Sequence, residues 1–83
     1  MYNQNGKRDR VTFEIVEHLG VLMEYDTGWN KELNLVSWND RTPKYDIRDW
    51  DAEHKKMSRG ITLRKEEMDR LIDIYSSGDT EEN

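Results

Sequence analysis

The 83-residue chain contains no cysteine, a single proline and only 34% apolar residues, against 37% charged. Without cysteine, disulfides and thiolate metal sites are excluded. A domain this small hides a modest share of its unfolded surface and usually needs a staple of some kind. The staple that remains here is a second copy of the chain. Long apolar runs are missing too: nothing approaches the ~20 residues of a membrane span. Met1 to Arg10 are polar and lack the apolar stretch of a signal peptide. These absences lead to the expectation of one soluble, cytoplasmic domain that dimerises, and missing cysteines fit a reducing compartment.

Charge is present in quantity and unevenly spread. The net charge of −5 argues at first against a nucleic-acid partner. Along the chain, however, residues 7–10 carry +2, residues 11–30 carry −4, residues 31–65 carry +3 and residues 66–83 carry −6. An acidic total with a basic middle is compatible with a basic face.

Val11, Phe13 and Ile15 alternate with Thr12, Glu14 and Val16, the period-two pattern of a half-buried strand. The apolar run Leu19–Met23 extends it across Gly20, where a bend or bulge is expected. Tyr25-Asp26-Thr27-Gly28 reads as a turn. Trp29 to Trp38 is a second strand, Asn39 to Pro43 a turn, and Lys44 to Trp50 a third strand, with Pro43 placed where no ladder donor is needed. Residues 51–58 form a charged linker before a short strand at Gly60–Leu63. From about Lys65 the period becomes helical, with Met68, Leu71, Ile72 and Tyr75 on one stripe and acids in the first turn. The stripe marks core or dimer contact. Ser76-Ser77-Gly78 ends the helix. The expectation is an α+β fold: a four-stranded curved antiparallel sheet followed by one C-terminal helix, β-β-β-β-α, homodimeric. Residues 1–10 read as a flexible arm, 11–76 as the domain and 77–83 as a disordered acidic tail.

Strand parity then divides the sheet into two faces. Leu33, Leu35, Tyr45 and Ile47 form the apolar face that the helix stripe needs. The other face carries Asn34, Val36, Trp38, Lys44, Asp46, Arg48 and Trp50, with no local element to cover it. Exposed indoles interleaved with cations are what single-strand binding requires: bases stack on rings and cations track phosphates. Trp38 and Trp50 are the stacking candidates, with Lys44 and Arg48 beside them and Lys55, Lys56 and Arg59 following in the linker. The competing reading makes both tryptophans core or interface residues. Trp29 and Lys31 fall on the wrong parity and count only if a bulge or strand end reorients them.

Other chemistry finds little support. Asp46, Asp49, Asp51 and Glu53 suggest a metal-dependent nuclease, but Asp46 and Asp49 point to opposite faces of one strand and read better as solvated charges or partners of nearby cations. His18 and His54 lie in unrelated contexts and read as surface histidines. Gly60 has no glycine-rich neighbourhood, so no phosphate loop is present. The expectation is therefore no enzyme, no metal and no cofactor.

The segment Lys-Tyr-Asp-Ile-Arg-Asp-Trp, a charged linker, Arg-Gly-Ile-Thr-Leu and a helix resembles the transcriptional coactivator family called positive cofactor four. Lys-Glu-Leu-Asn (31–34), Val-Ser-Trp-Asn (36–39) and Pro-Lys-Tyr-Asp-Ile-Arg (43–48) look closest to its small bacterial branch, and the likeness spans about residues 12–75. The resemblance implies a sheet-plus-helix dimer, joined through the helix and neighbouring strands, that binds single-stranded or melted DNA along its sheets. It matches Arg48, Trp50, Arg59, Trp38 and one of Lys55 and Lys56 to family positions. The chain departs in a longer stretch around Glu24–Trp29, one residue fewer between Arg48 and Trp50, and no serine- and lysine-rich regulatory arm. Arg64 stands where a capping Ser or Thr is expected, at a cost of about 1 kcal/mol at most. The expected partners are single-stranded DNA, with RNA or melted duplex as alternatives, a second copy, and a transcription-machinery protein. The expected location is the cytoplasm, at the bacterial nucleoid. The alternative class is a protein-interaction module whose indoles face another protein.

Overall fold

The computed structural model describes residues 11–78. The arm at 1–10 and the tail at 79–83 lie outside the described residues. Four strands, β1 (Phe13–Glu24), β2 (Asn30–Trp38), β3 (Lys44–Trp50) and β4 (Met57–Leu63), precede one helix, α1 (Lys65–Gly78). The strands pair in chain order as a four-stranded antiparallel sheet. The β-β-β-β-α architecture is as the sequence implies, with two adjustments. β4 begins at Met57, not Gly60, because Met57 pairs with Trp50 across a bulge. The helix runs through Ser77 to Gly78, two residues into the expected tail.

The turns follow from local chemistry. Gly28 has φ +93° and closes the first hairpin, its N–H donating to the Tyr25 carbonyl. Asn39 and Asp40 both adopt positive φ, the left-handed pair of a type I′ turn, which short polar side chains tolerate. Asp51 organises the third connection, its carboxylate accepting from the Lys55 and Lys56 N–H groups at 2.8 and 3.0 Å. Those bonds hold its pKa below the ordinary value of 3.8, Lys56 foremost. At the start of α1, Glu67 reaches back to accept from the Arg64 N–H at 2.7 Å. This half of a capping box replaces the absent Ser or Thr.

Curvature comes from β1. Its twelve residues span the nine of β2, with register shifts between Ile15 and Glu17, His18 and Gly20, and Val21 and Met23. Each bulge bends the strand and adds twist. The result is visible across the sheet. Phe13 pairs with Trp38 and Trp50 with Asn30, at opposite ends of β2. In a flat strand those ends lie about 27 Å apart. Yet the Phe13 and Trp50 ring centroids are only 5.2 Å apart. The sheet is therefore coiled around the face that carries the tryptophans.

That coiling overturns one expectation. The face carrying Asn34, Val36, Asp46 and Trp50 is the enclosed one, and all four residues are fully buried within a single chain. The apolar face of Leu33, Leu35, Tyr45 and Ile47 is only half-buried. The helix touches the sheet sparingly, along β3 and β4. Its Leu71, Ile72, Ile74 and Tyr75 remain exposed, Tyr75 to 84%. Only Met68 of the predicted stripe is half-buried.

Candidate nucleic-acid interface

The concave face is built around charge satisfied inside the chain. Arg48 on β3 donates from Nε to Asp46 Oδ1 at 2.6 Å and from Nη2 to Oδ2 at 2.9 Å, a two-bond fork. The Thr62 hydroxyl of β4 donates to the same Asp46 Oδ2 at 3.0 Å. The guanidinium then lies 4.7 Å from the Trp38 ring centroid, a cation–π distance. Gly60 makes this possible. A Cβ there would collide with Arg48 Cβ and the Ile47 carbonyl oxygen and lie 2.8 Å from Arg48 Nε. Phe13 completes an aromatic cluster, 6.0 Å from Trp38 and 5.2 Å from Trp50.

A second polar network lies on the same face, with Glu32 and Asn34 buried and the histidines His18 and His54 partly exposed. Glu32 is 3% exposed and accepts from Asn34 Nδ2 at 3.1 Å. Asn34 Oδ1 is then free to accept from His18 Nδ1 at 2.7 Å, which sets that nitrogen as the protonated one. His54 Nε2 lies 2.9 Å from both Glu32 oxygens and donates to them. His54 also packs on Trp50, with centroids 5.6 Å apart. One carboxylate thus joins β1, β2 and the β3–β4 loop.

The predicted residues fall into five groups. Trp38 and Lys44 sit half-buried at the open rim of the concave face. Lys55, Lys56 and Arg59 are exposed on the β3–β4 loop and the start of β4. Trp50 and Asn34 are core residues, with no ring face or amide left for a ligand. Arg48, with 13% of its side chain exposed, is neutralised by Asp46 and is no free phosphate cation. Trp29 and Lys31 are on the other face, at the β1–β2 turn. Trp29 lines a cleft with Tyr25, Thr27 and Asp49, and Lys31 Nζ is 3.3 Å from Asp49 Oδ1. The expected opposition of Asp46 and Asp49 holds: one closes the concave network and the other lines this cleft.

Sequence reasoning missed His18, His54 and Glu32, whose convergence depends on pairing between distant segments. Phe13 was legible as an alternating apolar residue, and its partnership with the tryptophans was not. The parity rule did carry a usable signal for Asp46: an acid two residues from Arg48 on one strand lies on the same face.

A family model described as transcriptional coactivator p15 (PC4) matches residues 25–74. An uncharacterized protein of Treponema pallidum (strain Nichols) is 39% identical over 69 residues, covering 83% of this chain and 81% of its own. The matched family segment begins at Tyr25 and runs into α1, so β2, β3 and β4 all fall inside it.

Proposed function

The chain belongs to the transcriptional coactivator p15 (PC4) family, a family of nucleic-acid-binding coactivators, and from that premise we propose that it binds single-stranded DNA as a homodimer with little regard to sequence. The observation that carries this reading is the rim of the concave face. There Trp38 stands half-buried on the same sheet face as Lys44, with Arg48 and Phe13 packed against it. A base stacks on such a ring regardless of its identity, contributing about 1–3 kcal/mol. Lys44, Lys55, Lys56 and Arg59 supply the phosphate contacts. Arg48 acts differently, since it is held by Asp46, braces Trp38 and brings no unpaired charge.

The homodimer reading is supported by the groove between α1 and the sheet. It measures about 520 Å³ and is lined by Ile47, Ile61, Leu63, Leu71 and Ile74 with Glu66, Glu67 and Arg70. Exposed apolar surface of this kind on a small chain calls for a partner. A second copy presents the same surface in return.

The test is a tryptophan-fluorescence titration with oligo-dT at about 50 and 200 mM salt, with duplex as control. Saturable quenching by the single strand that weakens with salt supports the proposal. Lys44→Ala should lower the salt slope by about 0.7, the loss of one phosphate contact on a single strand. Arg48→Ala should weaken binding with the slope nearly unchanged. Silence toward both nucleic acids sinks the reading and favours a protein partner for the same rim.

A further inference from the structure

The cleft at the β1–β2 turn has no part in the concave face. It is an open space of about 500 Å³, bounded by Tyr25, Thr27, Trp29 and Asp49. Tyr25 and Trp29 both border this space, and their backbones are joined by the Tyr25 N–H donating to the Trp29 carbonyl at 2.9 Å. Both side chains are half-buried, so the turn holds them in place while leaving ring surface open. Among the described residues, Asp49 Oδ1 is buried and has no hydrogen-bond partner of good geometry. The nearest cation, Lys31 Nζ, stands 3.3 Å away, long for a charge-assisted bond. Lys31 is kept fully charged, its pKa raised first by hydrogen bonding with the Tyr25 side chain and then by Asp49.

This arrangement selects its ligand by elimination. Two aromatic side chains on its border ask for a flat or cationic group. Lys31 already places a cation beside Asp49, so a second cation is repelled. What remains is a neutral aromatic ring offering a donor to Asp49 and, next to it, an acceptor to Lys31. Keto nucleobases present that pair: N1–H beside O6 in guanine, N3–H beside O4 in thymine and uracil. Guanine adds a second donor, its 2-amino group, for the other carboxylate oxygen. Adenine and cytosine place an acceptor where Asp49 needs a donor. We propose that Tyr25, Trp29, Lys31 and Asp49 form a nucleobase pocket selective for keto bases, guanine foremost, separate from the concave strand-binding rim.

The probes are the free 5′-monophosphates of guanosine, uridine, adenosine and cytidine, so the test does not depend on strand binding. The readout is the NMR signal of the Trp29 indole N–H, assigned through Trp29→Phe. The guanosine nucleotide should shift it at concentrations at least about tenfold below those needed for adenosine or cytidine, with uridine between. Asp49→Asn should abolish the ranking. That change is isosteric and keeps the Asp49 backbone N–H bond to Ser58 Oγ at 3.0 Å, so the fold is retained. Equal shifts from all four nucleotides, no shift from any, or an unchanged ranking in Asp49→Asn would each overturn the proposal.

A second arm distinguishes the source of the base. A preference for oligo-dT over oligo-dA that Asp49→Asn removes assigns the pocket to a base of the bound strand. Mononucleotide binding without that preference assigns it to a free nucleotide. Either upholds the keto-base chemistry. Failure of every oligonucleotide to bind would sink the strand-binding reading while leaving the mononucleotide result standing.

Discussion

Trp38 and Trp50 were equivalent in the strand pattern, and the structure separates them, so substituting each with alanine should give opposite phenotypes. Trp50 is fully buried, packed on Phe13 and His54. An enclosed indole hides about 250 Å², worth about 6 kcal/mol at 25 cal/mol per Å². A compact denatured chain lowers that figure, and substitution of buried Trp by Ala costs about 3–5 kcal/mol. An 83-residue chain has about 4–12 kcal/mol of stability in total. Trp50→Ala should therefore lower the melting temperature by at least about 12 °C and leave part of the population unfolded. Trp38→Ala should shift melting far less and weaken oligo-dT binding by about 1–3 kcal/mol. Thermal melts by circular dichroism, paired with the fluorescence titration, measure both. A Trp50→Ala protein that melts like the parent but no longer binds the oligonucleotide would refute the reasoning, because Trp50 would then be a stacking surface.

Gly60→Ala forces a methyl group against the Arg48 Cβ and the Ile47 carbonyl. It should cost about 1–3 kcal/mol and disturb the Trp38–Arg48 stack; a urea midpoint equal to the parent's would show that β4 yields easily. Replacing Leu71 and Ile74 together by glutamate should turn the proposed dimer into a monomer in sedimentation equilibrium, and an unchanged mass would count against a dimer interface at this groove. Asp51 has a depressed pKa because the Lys56 and Lys55 N–H groups stabilise its charged form. Its contribution to stability is complete above the ordinary 3.8 and is lost as pH falls through the lower folded value. Asp51→Asn should remove that part of the acid-unfolding profile, and superimposable acid limbs in mutant and parent would count against it.

Much of this molecule was legible in the residue order. Alternation in β2 and β3, the Asn39-Asp40 turn and the 3.6-residue stripe of α1 are local properties, set by backbone sterics and side-chain period. They determined the element order and which residues share a face. They also placed Lys55 and Lys56 in a loop and set Asp46 and Asp49 on opposite sides of β3. Parity says nothing about which face closes. That was decided by three bulges in β1, which coil the sheet until Phe13 meets Trp50 and turn the supposed open face into the core. The same coiling brings His18, Glu32 and His54 together from three separate segments. It also leaves the helix stripe uncovered. Periodicity is written within one strand, whereas enclosure depends on how several strands bend together, and only the tertiary structure carries that.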